Sequence, residues 1–398
     1  MSGLGGKYAI VGMGEVAPPK GTLYESYYGM ASEVAGKALD DAGLTKKDID
    51  GVVFTTAYGP PFPYPSSTTG YFCEYASMGD VWFENYPYGS MPTGPSVVHR
   101  ACMGIEAGMA NTVLVINSDN WLTRNSRQAA IEVMASRAFD SQYEWPYGPY
   151  AMTIMGLMAQ RHMHEYGTTS AQLAEAAVAA RKWALMNPVA FSYNTAPDIN
   201  VDDVLNSREI CMPLRRLDCC IVTDGGTAYV VTKADRAKDF KKPPVYIQGM
   251  GEMGHGRYIS QVPSYADLDI AGKATRQAYD DAGMSIKDID LAYLYDPATI
   301  LTLIYLEQIG ACPLGEGGKF VEGGRIGPGG DFPVNTHGGL LSCRHSAFSG
   351  ASFQLSEAVK QIRGECGERQ VKDANTALCL CEGGWFNIGV TILSGSPR

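Results

Sequence analysis

The sequence feature that most constrains the fold is a ten-residue block that occurs twice. Residues 41–50 read DAGLTKKDID and residues 281–290 read DAGMSIKDID, at a spacing of 281 − 41 = 240 residues. That spacing is far longer than the repeat of a solenoid, which spans about 20 to 50 residues. Each block follows an alanine-rich segment, contains a glycine suited to end a helix and precedes an apolar run. The chain is therefore predicted to be a duplicated α/β structure in which each copy forms a helix, a turn and a strand.

The rest of the sequence divides into two halves, residues 1–240 and 241–398, with an interruption inside the first. The predicted strands and helices of the first half before that interruption are 8–12, 22–41, 52–55, 84–88, 92–108 and 112–117. Between about 120 and 215 the rhythm breaks, and two long helical patterns follow each other at 151–166 and 170–186. We interpret this stretch as an inserted loop domain, a common place for substrate recognition on a rigid scaffold.

Composition narrows the classes of function. The formal net charge is −10, which argues against non-specific binding to nucleic acid. No apolar run approaches the length of a membrane span, and no basic region followed by an apolar core opens the sequence as a signal peptide would. Ten cysteines without such a signal are typical of reduced thiols in the cytoplasm. We therefore expect a cytoplasmic protein with no membrane span and no nucleic-acid partner.

Short motifs of the second half resemble those of a known family. Residues 335–341 read NTHGGLL and are followed by His345, which resembles the Asn-x-x-Gly-Gly block and the later Gly-His-Pro motif of the thiolase superfamily. Residues 381–384, CEGG, are similar to the Cys-x-Gly-Gly turn that carries the second catalytic cysteine of that family. Residues 294–296, LYD, stand where the sterol-carrier-type thiolases have His-Asp-Cys-Phe. Residues 213–220, PLRRLDCC, together with the NTHGG segment, are most similar to the thiolase-like retro-aldolases of steroid side-chain breakdown.

This resemblance implies an architecture, a substrate class and partners. The implied fold is a thiolase-like α/β fold, in which duplicated βαβαβ halves form a layered α/β/α/β/α core with a helical loop-domain insertion. The implied substrate is an acyl-coenzyme A thioester, and no cofactor is expected. The resemblance also implies a homodimer and a small partner subunit of the zinc-ribbon and OB-fold type.

Two departures from the family pattern bear on the chemistry. The thiolase nucleophile precedes the helix predicted at 92–108, and the family pattern places that position at Met91. There is no cysteine between Cys73 and Cys102, and a thioether cannot form the thiolate that an acyl-enzyme needs. The other departure is His345, where the retro-aldolases have a tyrosine and where this chain lacks the flanking Gly and Pro of the thiolase motif. The resemblance therefore implies chemistry without a nucleophile at Met91.

Carbon–carbon cleavage beside a thioester needs polar groups but no nucleophile. It produces an enolate, which preorganised donors stabilise, and it needs a base for the β-hydroxyl proton and an acid for the α-carbon. Tyr295, His345 and Cys381 lie on separate loops at predicted strand ends of the second half, and such ends converge on a crevice. We predict these three as the catalytic residues. The predicted support for the loops and the oxyanion comes from His337, Gly383 and Gly384.

Each catalytic candidate also has a structural interpretation. Tyr295 is compatible with a core tyrosine whose hydroxyl group is hydrogen-bonded. His345 is compatible with a buried structural histidine, and Cys381 with a core thiol like Cys379 on the same strand face. The sequence leaves these alternatives open.

No metal site is predicted from the sequence. His162 and His164 are two residues apart on a predicted helix, so their side chains point to different sides. Cys219 and Cys220 are adjacent, on alternating faces, and have no second pair of cysteines at zinc-ligand spacing. Neither pair is therefore a candidate ligand set.

Three functions are compatible with these residues. The leading hypothesis is an acyl-CoA carbon–carbon lyase that cleaves a β-hydroxyacyl-CoA by a retro-aldol reaction without a covalent acyl-enzyme. The second is a Claisen-type thiolase or acyltransferase that acts on a β-ketoacyl-CoA and uses an unusual nucleophile such as Cys381. The third is a non-catalytic scaffold subunit of an acyl-CoA enzyme complex.

The repeat also relates the two halves position by position. Asp50 and Asp290 correspond, so Thr55 of the first copy corresponds to Tyr295 of the second. We therefore expect the first half, with methionine at Met91, to supply the frame, and only the second half to keep polar groups at its loop ends.

Overall fold

The structure is a computed structural model of the chain, and both halves contain helices and strands. It describes residues 3–18, 26–55, 68–85, 94–124, 139–193, 195–254, 259–262, 269–346, 350–383 and 387–397. The strands are β1 (Tyr8–Val16), β2 (Gly51–Thr55), β3 (Phe83–Asn85), β4 (Thr112–Asp119), β5 (Glu209–Cys211), β6 (Leu214–Arg215), β7 (Gly225–Lys233), β8 (Val245–Gly254), β9 (Leu291–Leu294), β10 (Thr376–Gly383) and β11 (Asn387–Ser394). The α-helices are α1 (Tyr27–Ala42), α2 (Thr68–Tyr75), α3 (Pro95–Glu106), α4 (Trp121–Arg124), α5 (Ala151–Tyr166), α6 (Ser170–Leu185), α7 (Val201–Leu205), α8 (Ile270–Ala282), α9 (Thr299–Gln308), α10 (Gly317–Val321) and α11 (Ser352–Ile362).

One mixed sheet holds the strands of both halves in a mirrored order. The order is β3-β2-β4-β7-β1-β8-β11-β10-β9. Outward from the centre, β1, β7, β4 and β2 of the first half correspond to β8, β11, β10 and β9 of the second. The junction is antiparallel and runs from the pair Tyr8 with Ile247 to the pair Ile10 with Val245. In each half the strand that follows the repeat is parallel to its neighbour, β2 to β4 and β9 to β10. The sheet therefore contains the duplication that the repeat predicts.

Successive side chains of a strand point to opposite faces of the sheet, so each strand contributes to two layers of the core. In β2, Val52 and Phe54 pack against α1, whereas Val53 points to the opposite face and joins a central core. That central core also contains Val98 of α3 and Leu355 of α11. The outer face of the second half-sheet packs against α8, with α5 and α9 in the same cluster. The layers are therefore α1, the first half-sheet, α3 with α11, the second half-sheet and α8, which confirms the predicted α/β/α/β/α core.

The repeated block ends the two outer helices in the same way. Gly43 follows α1 with φ 74° and Gly283 follows α8 with φ 62°, a left-handed conformation that favours glycine. In the turns that come next, Asp48 and Asp288 each accept a hydrogen bond from the backbone N–H three residues earlier, at 2.8 Å. The block is thus a structural unit that stops a helix and directs the chain into the next strand.

The insertion is helical, as predicted. α5 begins and ends at the predicted residues, and α6 ends one residue before the predicted 186. Nε1 of Trp183 in α6 donates to the carbonyl oxygen of Ile326 at 3.1 Å. The β5–β6 hairpin packs against α5 at Gly156, where a Cβ would lie 2.8 Å from Sγ of Cys211. The insertion therefore packs onto the second half of the chain.

Two helix boundaries differ from the prediction for local reasons. α1 begins at Tyr27 because Ser26 is its N-cap, with Oγ accepting a backbone N–H at 3.0 Å. α3 is shorter than the predicted 92–108, since Pro95 occupies its first turn. Gly108 lies beyond its end with φ 71°. Predicted positions 86–88 and 92–93 lie outside the described residues.

Two further properties are the state of the cysteines and the absence of a membrane-spanning helix among the described residues. All ten cysteines are free thiols. Within the described ranges, no helix combines the length and the apolar character that crossing a bilayer requires.

Candidate active site

Tyr295 lies where β9 ends. Leu294 pairs in parallel register with Leu380 of β10, and the backbone N–H of Tyr295 donates to the carbonyl oxygen of Leu380 at 3.0 Å. The next residue of β10 is Cys381, so Tyr295 and Cys381 stand side by side at the carboxyl ends of two parallel strands. Tyr295 is partly exposed, whereas Cys381 is only 1% exposed. The structure thus brings together two of the three predicted catalytic residues.

His345 reaches the same place from another loop. It follows a π-helical turn, Gly339–Cys343, a form often found at functional sites. Its backbone N–H donates to Oγ1 of Thr223 at 3.2 Å, and its carbonyl oxygen accepts from the N–H of Thr223 at 2.9 Å. The neighbouring Arg344 is buried and donates to the carbonyl oxygen of Asp224 at 3.0 Å. These contacts hold the backbone of His345 independently of its ring.

The imidazole ring of His345 lies between a phenol and a thiol. Nε2 is 3.5 Å from Oη of Tyr295, at the outer limit of a hydrogen bond, and the two ring centroids are 6.1 Å apart in an edge-on arrangement. Nδ1 is 3.0 Å from Sγ of Cys220. Catalytic hydrogen bonds of this length often tighten when substrate binds. Cys220, His345 and Tyr295 therefore form one line of polar side chains.

Cys220 is the site residue that the sequence reasoning missed. Its backbone N–H donates to the carbonyl oxygen of Pro297 at 2.9 Å, two residues after Tyr295. The next N–H, of Ile221, donates to the carbonyl oxygen of Leu340 at 3.2 Å. The contact with His345 spans 125 residues, so no local pattern reveals it. The one available signal is the PLRRLDCC segment, whose resemblance to the retro-aldolases marks it without giving Cys220 a role.

Burial keeps both rings in their neutral forms. It lowers the pKa of His345 to about 4, so the imidazole is uncharged at pH 7. Burial, with the thiols of Cys381 and Cys220 nearby, raises the pKa of Tyr295 well above its ordinary value. At neutral pH the phenol therefore keeps its proton and the imidazole carries one. Both rings can donate a hydrogen bond to a developing oxyanion.

Asp296 joins the Tyr295 segment to the loop that carries His345. Its carboxyl group is buried, and Oδ1 accepts the backbone N–H of Leu340 at 2.8 Å. Gly339 makes this approach possible, because its φ is 63° and a Cβ there would lie 1.9 Å from Oδ2 of Asp296. Burial raises the pKa of Asp296 to about 8. Asp296 therefore links the loop of Tyr295 to the loop of His345.

Cys381 lies next to a buried carboxyl group. Its thiol donates to the carbonyl oxygen of Glu382 at 3.3 Å. The side chain of Glu382 points to Tyr305, whose Oη donates to Oε2 at 2.6 Å. Cys381 is thus a buried thiol beside Tyr295 at the ends of the two strands.

The predicted supporting residues are placed differently from one another. His337 is buried with its ring 6.0 Å from that of Tyr293, and neither ring nitrogen has a hydrogen-bond partner among the described residues. Because Tyr293 belongs to the central core, His337 faces the core rather than the Tyr295 phenol. Gly383 is the last residue of β10. Gly384 and Met91 lie outside the described residues. The roles of all four remain predictions.

The assembled groups suit an acyl thioester. Phenol and imidazole donors can stabilise the oxygen of an enolate, and a thiol can move a proton. Within the described part of the chain, no three His, Cys, Asp or Glu side chains converge as a metal site. The phenol and imidazole groups can donate hydrogen bonds, and the thiols can take part in proton transfer.

Comparison with known proteins shows which family the chain is similar to. A family model described as thiolase C-terminal domain-like matches residues 251–396. The chain is 35% identical over 373 residues to the 17-hydroxy-3-oxo-4-pregnene-20-carboxyl-CoA lyase of Mycobacterium tuberculosis, covering 91% of this chain and 92% of the relative. It is 34% identical over 377 residues to the steroid side-chain-cleaving aldolase of Thermomonospora curvata, covering 92% of each chain.

A solved structure agrees with the sequence relatives. The structure is described as an Ltp2-ChsH2(DUF35) aldolase, and the chain is similar to it with a TM-score of 0.85 at 30% identity. The similarity covers 98% of each chain. Both the core and the insertion therefore fall within the compared region.

Proposed function

The chain belongs to the thiolase superfamily, in the group of the steroid side-chain-cleaving aldolases, and on this premise we propose that it is a lyase that cleaves a carbon–carbon bond of a β-hydroxyacyl-CoA. The proposed reaction is a retro-aldol cleavage without a covalent acyl-enzyme. The observation that carries the proposal is the line of polar groups at the ends of β9 and β10, where Oη of Tyr295 lies 3.5 Å from Nε2 of His345. A reaction that passes through an enolate needs such donors.

The proposed reaction balances without an oxidant, a metal or a nucleophile. A base removes the proton of the β-hydroxyl group, the bond between the α-carbon and the β-carbon breaks, and its electron pair moves into the thioester as an enolate. The β-carbon leaves as a ketone or an aldehyde. One proton added to the α-carbon completes the shorter acyl-CoA.

Each of the three predicted residues has a role in this scheme. Tyr295 donates its O–H to the thioester oxygen as negative charge develops there, because its raised pKa keeps the phenol protonated. His345, neutral with its pKa near 4, supports Tyr295 by donating from Nε2 to Oη. Cys381, beside Tyr295, is the proposed proton-transfer residue: its sulfur takes the β-hydroxyl proton while its own S–H proton goes to the α-carbon, so the thiol is regenerated. The proton is therefore transferred within the site.

We also propose the assembly in which this reaction takes place. The similar solved structure pairs its aldolase with a DUF35 chain, so a small zinc-ribbon and OB-fold subunit is the proposed partner. A homodimer is supported by the edge strand β3, next to which Trp82 is 82% exposed. The ten free thiols favour the cytoplasm. Analytical ultracentrifugation of the chain with and without a DUF35-type subunit checks the stoichiometry.

Product analysis tests the activity itself. The chain, alone and with a DUF35-type subunit, is incubated with 17-hydroxy-3-oxo-4-pregnene-20-carboxyl-CoA, the compound in the name of one relative. Retro-aldol cleavage of that compound gives a 17-oxo steroid and propionyl-CoA, both measurable by mass spectrometry. A panel of simpler β-hydroxyacyl-CoA thioesters covers other acyl groups. If no member of the panel yields a carbonyl product and a shorter acyl-CoA, with the subunit present, the proposal is wrong.

A second candidate function has one observation in its favour. A cysteine hydrogen-bonded to a histidine, as Cys220 is to His345 at 3.0 Å, is the arrangement of a nucleophile and its base. An acyltransferase that uses a cysteine such as Cys381 or Cys220 would form a thioester with the protein. Intact-protein mass spectrometry after mixing with acyl-CoA distinguishes the two: an acyl adduct favours the acyltransferase, and an unchanged mass during turnover favours the lyase.

A further inference from the structure

Cys220 lies beside His345 but has no role in the lyase reaction proposed above. It is partly exposed, and its thiol lies 3.0 Å from Nδ1 of His345, on the side of the ring opposite Tyr295. A neutral imidazole has one N–H, and the partner at one ring nitrogen determines which nitrogen carries it. The partners of the ring, which are the Cys220 thiol at Nδ1 and the backbone of Ile221, therefore decide what His345 presents to Tyr295.

The segment that carries Cys220 is fixed to both catalytic loops. The carboxyl group of Asp218 accepts from Oγ1 of Thr299 at 2.9 Å. The backbone N–H of Cys220 donates to the carbonyl oxygen of Pro297, also at 2.9 Å. Three residues further on, Thr223 exchanges two hydrogen bonds with the backbone of His345. The thiol is therefore held in place by backbone contacts that do not depend on its own bond to the ring.

Two proton arrangements are compatible with the distances around the ring. In one, the thiol donates S–H to Nδ1, so the ring proton is on Nε2 and points to Oη of Tyr295. In the other, Nδ1–H donates to sulfur, and Nε2 takes the proton of the phenol. A thiol is only a weak acceptor, whereas an imidazole nitrogen is a good one. The first arrangement also leaves the O–H of Tyr295 free for the substrate.

We propose that Cys220 is a positioning residue that donates its thiol proton to Nδ1 of His345 and thereby keeps the ring proton on Nε2, directed at Tyr295. The three groups then form a chain of donors, from thiol to imidazole to phenol, that ends at the substrate oxygen. This proposal rests on the proposed lyase function and names a residue, from the end of the insertion, on which the second-half site depends. Cys220 does not touch the substrate in this scheme.

The kinetic test uses two substitutions of Cys220 and one of its neighbour. Cys220→Ala removes the donor, and kcat is expected to fall about 10- to 100-fold, the usual cost of losing a partner that orients a histidine. KM is expected to stay within about 2-fold, because the bond to substrate is made by Tyr295. Cys220→Ser keeps an O–H donor and is expected to restore kcat to within about 3-fold of the unmodified enzyme.

Cys219→Ala is the matched control. Cys219 is partly exposed like Cys220, but its thiol donates to the carbonyl oxygen of Arg215 at 3.3 Å. We expect Cys219→Ala to leave kcat unchanged, with melting temperatures of all three variants measured in parallel. Equal kcat in Cys220→Ala and the unmodified enzyme would overturn the proposal. So would a loss in Cys220→Ala that Cys220→Ser does not reverse.

A spectroscopic measurement separates this proposal from the activity. Nitrogen-15 NMR of the full chain labelled at histidine, assigned with His345→Asn, reports which ring nitrogen of His345 carries the proton. The proposal predicts a single Nε2–H form in the unmodified protein and a mixture of both forms in Cys220→Ala. A proton found on Nδ1 in the unmodified protein contradicts it, whether or not the protein cleaves the tested thioesters. Absence of lyase activity with a single Nε2–H form would instead count against the proposed function alone.

Discussion

The two halves of the molecule use the same residues to fold and different residues at their strand ends. Asp50 accepts the backbone N–H of Thr112 at 2.8 Å, and Asp290 accepts that of Thr376 at 2.8 Å. The repeated aspartate thus binds the backbone at the start of β4 in one half and at the start of β10 in the other. Five residues after it, Thr55 and Tyr295 take corresponding places. The repeat therefore serves folding, and the residues proposed for catalysis lie just beyond it.

The neighbouring strands differ in the same way. Thr55 pairs with Asn117 of β4, and Tyr295 lies beside Cys381 of β10. The first half therefore presents a hydroxyl and an amide where the second presents a phenol and a thiol. Amides and aliphatic hydroxyls do not ionise in the physiological pH range, whereas an unperturbed thiol ionises with a pKa of about 8.5. This difference supports the proposal that the site is in the second half.

The expectation that only the second half supplies polar groups is nevertheless incomplete. Cys220 belongs to residues 1–240, yet its thiol is bonded to His345 at 3.0 Å. The reason is topological, because the insertion returns across the second half before the chain enters β7. The site is therefore shared between the halves, with Tyr295 and His345 from one and a partner for the histidine from the other.

Polar side-chain contacts also tie the halves together across the central layer. Glu15 of β1 pairs with Lys360 of α11 at 2.9 Å, and Glu252 of β8 pairs with His99 of α3 at 2.7 Å. The first strand of each half thus holds the central helix of the other. Neither half is expected to keep its geometry alone.

The largest difference in kcat between the halves is expected when Tyr295 and its first-half counterpart Thr55 are each replaced. The two variants are Tyr295→Phe and Thr55→Val. Tyr295→Phe removes the donor to the substrate oxygen, and we expect kcat to fall about 100-fold or more. Thr55→Val keeps the side-chain shape and is expected to leave kcat within about 3-fold. Steady-state kinetics, with melting temperatures to check folding, measure both. Similar losses of kcat in the two variants would remove the distinction between the halves.

The next comparison sets two buried histidines of the second half against each other. Burial lowers the pKa of both His345 and His337 to about 4, but only His345 contacts Tyr295. We expect His345→Asn to lower kcat about 10- to 100-fold and His337→Asn to lower it much less. The same kinetic assay decides this. A larger loss in His337→Asn would make that residue part of the site, as the sequence motif suggests.

A smaller effect concerns stability as a function of pH. Asp296 corresponds to Thr56 of the first half, and burial raises the pKa of Asp296 from 3.8 to about 8. Because the folded state binds this proton more tightly, its stabilising contribution is complete below about pH 4 and is lost as pH rises towards 8. The free energy of unfolding is expected to fall by up to about 1.4 kcal/mol per pH unit in this window. Asp296→Asn should reduce that slope in urea titrations at several pH values, whereas Thr56→Ser should not change it.

The smallest expected effects come from substituting the two repeated aspartates, and they should be nearly equal in the two halves. Asp50→Ala and Asp290→Ala each remove the acceptor for backbone N–H groups at the start of a strand. We expect each to lower the free energy of unfolding by about 1 to 2 kcal/mol, with kcat per folded molecule unchanged in both. Chemical denaturation and activity assays check this pair. A selective loss of kcat in Asp290→Ala would give the repeat a catalytic role that the account denies it.

Much of the fold could be predicted because its determinants are local. The block around Gly43 and Gly283 contains its own helix stop and turn, and the helical periodicity of 151–166 fixes α5. The neighbourhood of Tyr295 and Cys381 follows from a rule about parallel strand ends. The contact between Cys220 and His345 could not be predicted, because irregular backbone brings together residues 125 positions apart. The position of His337 against Tyr293 escaped prediction for the same reason.

The central claim is that the second-half site breaks a carbon–carbon bond through an enolate and without a protein thioester. A single turnover in deuterium oxide, with no free coenzyme A present, tests this claim directly. We expect that mixing the enzyme complex once with a β-hydroxyacyl-CoA releases two products. One is a ketone or aldehyde, and the other is a shorter acyl-CoA with one deuterium on its α-carbon. A protein thioester detected by mass spectrometry, with its acyl group released only after free coenzyme A is added, would contradict it, because that dependence belongs to thiolysis of an acyl-enzyme.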